Sequence, residues 1–228
     1  MIAYGKRVIM YLLERHCELI EAIYLAKEID KKTFSLIAKS KCSILKVDFK
    51  KAQAMAKGGN HQGFLAKIRM PVVLTLKDIK QYNKIVVLCQ ITDVGNIGAI
   101  FRTVYCLKAE AIVIISNFLS ESCYEGILRS SAGAMLDVPF CVYPNAADLI
   151  NEFKNKNIDC YGADITGEDI NNDLKISEKW ALFLGNEETG LSKKILSKLD
   201  KILSIQINKN FNSLNVSVAA GILINRMD

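Results

Sequence analysis

"KIVVLCQI" at residues 84–91 and "TDVGNIGAIFRTV" at residues 92–104 together decide the fold class of this chain. The first segment is short, apolar and without polar alternation, which is typical of a strand buried on both faces of a sheet. The second segment contains Gly95 and Gly98 and continues with the apolar spacing of a helix. A buried strand, a glycine-containing loop and a helix in this order predict an α/β domain with a parallel sheet.

The same alternation of strands and helices continues to the end of the chain. Parallel strands need crossover connections, and helical segments lie between several of the apolar runs. The pattern therefore predicts one α/β domain over residues 84–228. Further strands are predicted at residues 111–116, 137–143, 158–165, 180–185 and 202–207, and helices at residues 97–109, 146–156, 189–199 and 214–227.

The N-terminal part is predicted to be a separate, small α/β domain over residues 1–70. Apolar residues over 6–28 follow helical spacing, and residues 20–25 are a possible strand instead. A helix over 31–39, a strand over 43–47 and a glycine-rich turn leading into a strand over 57–68 follow. Residues 71–83 are predicted to be a linker.

The charge of the chain is distributed unevenly. Residues 1–80 contain sixteen Lys and Arg against seven Asp and Glu, whereas residues 81–228 contain fourteen against seventeen. A basic segment joined to a near-neutral one suits a protein that holds a polyanion such as RNA, although a lysine-rich solvated surface would have the same composition. No apolar run reaches the roughly 18 residues of a membrane span, so we expect a soluble, cytoplasmic protein without a membrane partner.

The seven cysteines and two histidines do not predict a metal site. The cysteines are scattered singly and form no C-x-x-C pair, which zinc sites normally use. An odd number of cysteines also fits a reducing compartment better than a disulfide framework. We therefore expect buried thiols and no metal.

Three loops at the predicted carboxyl ends of strands hold the polar residues of interest. Asn96 and Arg102 follow the first strand. The two glycines of this loop are also compatible with a dinucleotide-binding dehydrogenase, but the full G-x-G-x-x-G fingerprint is absent. Glu187 lies between two glycines after the strand 180–185, and it is either a solvated helix-start carboxylate or a site residue. Ser213 is predicted to cap the last helix, with Asn215 in its first turn.

Taken in order, "NIGAIFRTV", "FLGNEETGLS" and "SIQINKNFNSLNVSVAAGI" resemble the three motifs of the SpoU (TrmH-type) RNA 2'-O-ribose methyltransferases, and "RSSAGAMLDVPF" between them also looks like that family. The resemblance implies a SPOUT-type parallel sheet with a C-terminal trefoil knot, a homodimer, and S-adenosylmethionine as methyl donor. The segment "GNHQGFLAKI" is similar to the ribosomal-protein-like substrate-binding domain of the subfamily that methylates a guanosine of 23S rRNA.

The resemblance also implies a set of site residues. The main chain around Gly185, Ile205 and Leu214 would line the cofactor pocket. The catalytic polar residues would be Asn96, Arg102, Glu187, Ser213 and Asn215.

A guanidinium normally stays charged, so we expect Arg102 to position the phosphate and the attacking oxygen rather than to act as the base. His61 and Gln62 are predicted to lie on an exposed turn and to contact RNA. A 2'-O-methyltransferase that acts on tRNA or on another rRNA site, and a non-catalytic RNA-binding protein of the same fold, remain alternatives.

Overall fold

The computed structural model describes residues 1–170, 174–186, 188–208 and 213–227. The strands are β1 (Ile2–Tyr4), β2 (Ile20–Leu25), β3 (Ser43–Lys46), β4 (Phe64–Ile68), β5 (Lys84–Cys89), β6 (Ala111–Ile115), β7 (Phe140–Tyr143), β8 (Asp159–Asp169), β9 (Trp180–Leu184) and β10 (Lys201–Ser204). The α-helices are α1 (Lys6–Arg15), α2 (Lys31–Lys39), α3 (Phe49–Met55), α4 (Leu76–Ile79), α5 (Val94–Cys106), α6 (Glu121–Ser130), α7 (Ala146–Lys154), α8 (Lys193–Leu196) and α9 (Val216–Met227).

The chain divides into two compact units, of which the first joins Met1–Val72 to Ser120–Leu136. Its sheet has the order β1-β4-β2-β3, in which β4 runs antiparallel to both of its neighbours and β3 runs parallel to β2. The helical spacing over residues 6–28 is realised only as far as Arg15. The strand alternative for residues 20–25 is correct, because Ile20, Ile23 and Leu25 are buried where β2 pairs with two strands.

Helix α6 belongs to the first unit, although the sequence analysis assigned residues 84–228 to the second domain. The side chain of Glu125 on α6 is only 7% exposed. Its carboxylate accepts a hydrogen bond from the main-chain N–H of Ile2 at 2.7 Å and pairs with the ammonium of Lys57 at 2.7 Å. A buried carboxylate needs such partners, so this contact fixes α6 against the N-terminal sheet.

The second unit comprises Val73–Leu119 and Asp137–Asp228 and contains a parallel sheet. Its strand order is β10-β8-β9-β5-β6-β7, and each neighbouring pair is parallel. The central strands β5, β6 and β9 are buried along nearly their whole length, as expected for a sheet covered on both faces. The predicted α/β class with a parallel sheet is confirmed.

Residues 71–83, predicted to be a linker, contain ordered structure. Thr75 and Asp78 form a reciprocal capping box at the start of α4. The main-chain N–H of Leu74 donates to the carbonyl of Phe140 at 2.9 Å, and Ile79 is fully buried in the core of the second unit. The predicted helix over 189–199 is shorter than expected, since α8 covers only Lys193–Leu196.

Candidate active site

The carboxyl ends of β5 and β9 bring two distant segments of the second unit to one edge of the sheet. Leu88 pairs with Leu184 in the parallel register, so the loops that follow the two strands start side by side. Helix α5 begins in the first of these loops, where the carboxylate of Asp93 accepts the N–H of Asn96 at 2.7 Å. This cap fixes Asn96 in the first turn of α5.

Asn96 and Asn215 form a direct side-chain contact. The amide nitrogen of Asn215 donates to the amide oxygen of Asn96 at 2.9 Å, across 119 positions of sequence. The start of α9 is thereby joined to the start of α5, and the two helices pack along each other. The structure thus brings together two of the five residues expected in the catalytic site.

Asn215, rather than Ser213, caps α9. The helix begins at Val216, and the Oδ1 atom of Asn215 accepts the main-chain N–H groups of Ser217 at 2.9 Å and Val218 at 3.4 Å. The expectation that Ser213 caps the helix is therefore wrong. Asparagine is among the best N-cap residues, and it occupies the position directly before the first helical residue. Ser213 is exposed two positions earlier.

Arg102 lies on α5, six positions after Asn96, with its side chain exposed. Among the described residues, none forms a hydrogen bond or an ion pair with its guanidinium. The neighbouring Thr103 faces α9, since a methyl group built on Gly221 would meet its Cγ2 atom at 3.6 Å. The charged group of Arg102 is thus available to an external anion such as a phosphate.

A cavity of about 290 Å³ in the second unit is lined by Leu214 and Val216, the residues on either side of Asn215. Its wall is formed by the middle of β8 and the ends of β9 and β10 together with the segment that leads into α9. The three residues expected to hold the cofactor, Gly185, Ile205 and Leu214, all line it, and Ser213 does as well.

The turn after β9 requires glycine at position 185. A Cβ atom on Gly185 would lie 2.3 Å from the carbonyl carbon of Gly190 and 2.5 Å from the main-chain nitrogen of Leu191. The turn is closed by the N–H of Gly190, which donates to the carbonyl of Asn186 at 2.8 Å. Asn186 also donates its side-chain amide to the carbonyl of Gln90, which ties this turn to the loop after β5. Glu187, expected in the catalytic site, lies outside the described residues.

Comparison with known proteins decides the family. Residues 83–225 match the SpoU rRNA Methylase family, and residues 2–72 match the domain described as RNA 2'-O ribose methyltransferase substrate binding. The chain belongs to the SpoU rRNA methylase family. The predicted family is confirmed, and with it the enzyme class, an RNA methyltransferase that uses S-adenosylmethionine.

Full-length relatives support the assignment of this SpoU chain. A protein of Borreliella burgdorferi named as a tRNA/rRNA methyltransferase is 33% identical over 217 residues, which covers 89% of this chain and 94% of the relative. The 23S rRNA (guanosine-2'-O-)-methyltransferase RlmB of Neisseria meningitidis is 25% identical over 230 residues, covering 97% and 92% of the two chains.

Among solved structures, the SpoU methyltransferase AviRb from Streptomyces viridochromogenes, in complex with AdoMet, has the same fold. It superposes with a TM-score of 0.80 at 21% identity, covering 100% of this chain and 88% of that chain.

The lining of the cavity fits the chemistry of the SpoU methyl donor, which carries a cationic sulfonium. Among the described lining residues, the charged side chains are those of Asp164 and Glu188, both of them carboxylates. Leu184, Leu203 and Leu223 supply apolar walls. Apolar walls with a few polar groups are typical of small-molecule sites, and the carboxylates favour a positively charged occupant. Sequence reasoning missed Asp164, although it lies at the end of a predicted strand.

Three cysteines of the parallel sheet are buried and unreactive. Burial raises the pKa of the Cys89 thiol, at the end of β5, to about 12. Burial likewise raises the pKa of Cys141 and of Cys160 to about 12, so all three are neutral thiols at physiological pH.

In the described part of the chain, no three His, Cys, Asp or Glu side chains group as metal ligands. No described helix is long and apolar enough to span a membrane.

Of the two residues expected on an exposed turn that contacts RNA, Gln62 is exposed and His61 is buried. His61 is not exposed: it is 4% accessible, its Nδ1 atom accepts the N–H of Gly63 at 3.0 Å, and its ring contacts Phe49. Gln62 is exposed, and its Oε1 atom accepts the N–H of Lys6 at 3.1 Å at the start of α1. His61 is buried because it precedes a tight turn and packs beneath Phe49, a residue that sequence reasoning passed over.

Proposed function

We propose that this SpoU methyltransferase transfers the methyl group of S-adenosylmethionine to the ribose 2'-hydroxyl of a guanosine in 23S rRNA. The observation that carries the proposal is the hydrogen bond between Asn96 and Asn215, which joins two of the expected catalytic residues at the edge of a cavity with carboxylate and apolar walls. The full-length similarity to RlmB of Neisseria meningitidis supports the choice of substrate.

Arg102 binds the phosphate next to the target ribose and orients the attacking oxygen. Its exposed guanidinium has no partner among the described residues, and guanidinium matches the geometry of phosphate. Asn96 and Asn215 orient the ribose or Arg102 by hydrogen bonds, and Ser213 contributes its hydroxyl from the rim of the cavity. Glu187 is proposed to support the turn after β9 or to hold a cation.

The reaction demands alignment above all. S-adenosylmethionine, when bound, supplies a methyl group that is already activated by the sulfonium. The 2'-oxygen forms a bond to the methyl carbon as the carbon–sulfur bond breaks, and the hydroxyl proton leaves to a base in the site. Holding oxygen, carbon and sulfur in line removes much of the entropic barrier, and effective molarities of about 10⁵ M or more show how large this gain can be.

The donor is proposed to bind the cavity through the main chain around Gly185, Ile205 and Leu214. Ile205 follows directly after β10, and Leu214 precedes the cap of α9. No hydrogen bond within the described residues engages the N–H of Ile205 or Leu214. Half-buried main-chain groups of this kind need a partner, and the polar edge of a purine or ribose can provide it.

The two domains are proposed to have separate roles in RNA binding and in catalysis. Residues 1–70 are proposed to hold the RNA, residues 71–83 to connect the domains, and residues 84–228 to catalyse transfer. The match of residues 2–72 to a substrate-binding domain and the basic composition of residues 1–80 support this division.

Three further features follow from the family. The C-terminal part of the second domain is proposed to form a trefoil knot, the protein to act as a homodimer, and the reaction to take place in the cytoplasm, where ribosomes assemble. Val218 on α9 is 50% exposed, and an apolar side chain at this position suits a subunit contact. Light scattering of the purified protein tests the dimer.

The decisive experiment compares two RNAs. The purified protein is incubated with methyl-labelled S-adenosylmethionine and with 23S rRNA or bulk tRNA from cells lacking it, and labelled 2'-O-methyl positions are mapped. We expect label at one guanosine of 23S rRNA. Label in tRNA alone would favour a tRNA enzyme. Absence of donor binding in calorimetry, together with retained RNA binding, would instead indicate a non-catalytic RNA-binding protein.

A further inference from the structure

A tight turn in the first unit gathers side chains from three separate elements. The N–H of Phe64 donates to the carbonyl of His61 at 2.9 Å, and the central residues Gln62 and Gly63 have φ values of 52° and 80°. Positive φ at both central positions defines a type I′ turn, which glutamine adopts only at a conformational cost. The hydrogen bond from Lys6 to the Gln62 side chain holds this turn against the start of α1.

Phe49 is held on this turn with its ring exposed to solvent. Phe49 as a residue is 66% exposed, and the centroid of its ring lies 5.3 Å from that of the buried His61 ring, with 49° between the ring planes. Phe49 is the first residue of α3, whose start is fixed because the Asp48 carboxylate accepts the N–H of Lys51 at 2.7 Å. An exposed phenylalanine fixed at its helix start and supported by an aromatic ring is a ready platform for a planar ligand.

Two lysines lie beside the same turn. The ammonium groups of Lys6 and Lys27 lie 5.9 Å and 5.3 Å from the centroid of the Phe64 ring. The stem of Lys27 packs over Gly63, where a Cβ atom would meet its Cγ atom at 2.4 Å. In the part of the chain that the structure describes, neither ammonium has a carboxylate within ion-pair distance.

Two other lysines of the first unit have ion pairs. Lys57 pairs with Glu125 at 2.7 Å, and Lys67 pairs with Glu21 at 3.1 Å. Neither lysine beside the turn has such a direct ion pair, although Lys6 also interacts electrostatically with Asp30 at longer range. The difference also supplies matched control positions for mutagenesis.

We propose that Lys6, Lys27 and Phe49, here called the turn surface, bind an unpaired base and its adjoining phosphates in the substrate RNA. Phe49 is the stacking platform, and the buried His61 is a positioning residue that supports its ring. Single-stranded RNA is recognised by stacking on aromatic side chains beside cations that neutralise phosphates. Protein interfaces, by contrast, are depleted in lysine, so the charge favours RNA over a protein partner. The inference rests on the proposed function in that the partner is an RNA.

The first test compares two exposed phenylalanines of the same unit. Phe34 on α2 is 49% exposed and follows Lys31 and Lys32, but it has no ring contact with the turn among the described residues. Binding of the full-length protein to a fluorescein-labelled single-stranded RNA of ten nucleotides is measured by anisotropy. We expect Phe49→Ala to weaken binding about tenfold, at the lower end of measured base stacking, and Phe34→Ala to change it less than twofold.

Phe49→Trp should retain or raise the affinity, because its ring also stacks. A duplex RNA of the same sequence should bind Phe49→Ala and wild type equally. Equal losses in Phe49→Ala and Phe34→Ala, or an unchanged affinity in Phe49→Ala, would overturn the assignment, and the latter would leave a protein partner as the explanation for the exposed ring.

The second test uses the lysines. Lys27→Ala should reduce the slope of log affinity against log salt for the same single-stranded RNA by about 1, as loss of one phosphate contact predicts. Lys67→Ala, in which an ion-paired lysine is removed, should leave the slope almost unchanged. Similar slope changes in both variants would show that the charge acts diffusely rather than at this surface.

The third test isolates the role of His61. His61→Asn retains a side-chain acceptor for the N–H of Gly63, because asparagine forms such local bonds readily, but it removes the ring beneath Phe49. We expect the KM for RNA to rise several-fold while kcat and donor affinity change little; loss of the buried ring should lower Tm. A fall in kcat without a change in KM would refute the positioning role. Methyl transfer to RNA by the wild-type protein tests the proposed function separately. If the wild-type protein transfers the methyl group and the Phe49 and His61 variants bind RNA with wild-type affinity, this inference fails and the proposed function stands.

Discussion

The asparagine pair of the second unit and the turn His61–Phe64 of the first unit use their polar side chains differently. Asn96 and Asn215 meet across 119 positions of sequence, and Arg102 is exposed further along the same helix as Asn96. In the turn, His61 accepts a hydrogen bond from Gly63 two positions away, and Gln62 accepts one from the start of α1. Polar residues that meet from distant segments can form a candidate site. Polar residues within one tight turn instead stabilise the turn, and the residues around them form its exposed surface.

The largest effect is expected for Arg102→Ala. Loss of the cation proposed to bind phosphate should lower kcat for methyl transfer by about 10²-fold or more, the range seen when one electrostatic group is removed from an active site. Single-turnover assays with labelled donor measure it, with Lys108→Ala as a surface control on the same unit. Transfer near the wild-type rate in a folded Arg102→Ala protein would remove Arg102 from the site.

A pair of glycine substitutions tests whether the cavity depends on close main-chain approach. Gly185→Ala places a Cβ atom against the main chain of Gly190 and Leu191, which cannot move aside as a flexible side chain can. We expect donor affinity in calorimetry to fall at least tenfold, with a lower Tm.

Gly221→Ala is the matched control for this change. The new methyl group on α9 meets the Cγ2 atom of Thr103 on α5 at an ordinary contact distance of 3.6 Å. It should leave donor affinity unchanged and stabilise the helix by about 0.5–1 kcal/mol. Equal effects of the two substitutions on donor affinity would mean that the close approach at Gly185 is irrelevant to binding.

Asn215 serves both the helix and the pair, and two substitutions separate these roles. Asn215→Asp retains the acceptor for the N–H groups of Ser217 and Val218 but cannot donate to Asn96, so stability should be unchanged while kcat falls about tenfold. Asn215→Ala loses both functions and should also lower the free energy of unfolding by about 1 kcal/mol. Full activity in the Asp variant would show that the contact with Asn96 is structural only.

The spacing of apolar residues correctly predicted those helices and strands that are specified by their own local sequence. Helix α2 has the predicted bounds, and β5 and β9 end within two residues of the prediction. Two of the elements that were not predicted depend on partners far along the chain: β1 pairs with β4, and α6 is fixed by Glu125 contacting Ile2 and Lys57. A local pattern contains no information about such contacts.

The same distinction applies to the candidate site. Asn96, Arg102 and Asn215 were identified because three motifs occur in order, not because any one of them is informative by itself. The assignment of the helix cap to Ser213 was wrong because the start of α9 lies two residues later than its apolar pattern suggests. The burial of His61 depends on Phe49 in α3, a short helix that the sequence pattern did not indicate.

The smallest expected effect tests whether Gln62 is structural. Gln62→Ala loses the hydrogen bond to Lys6 and keeps the unfavourable positive φ, whereas Gln62→Gly loses the same bond but relieves the backbone. The glycine variant should therefore be the more stable of the two by about 1 kcal/mol, the reverse of the usual order for alanine and glycine. Urea unfolding measures the difference. If Gln62 instead contacts RNA directly, both variants should bind the single-stranded probe more weakly by the same factor, and the stability order alone would not explain the loss.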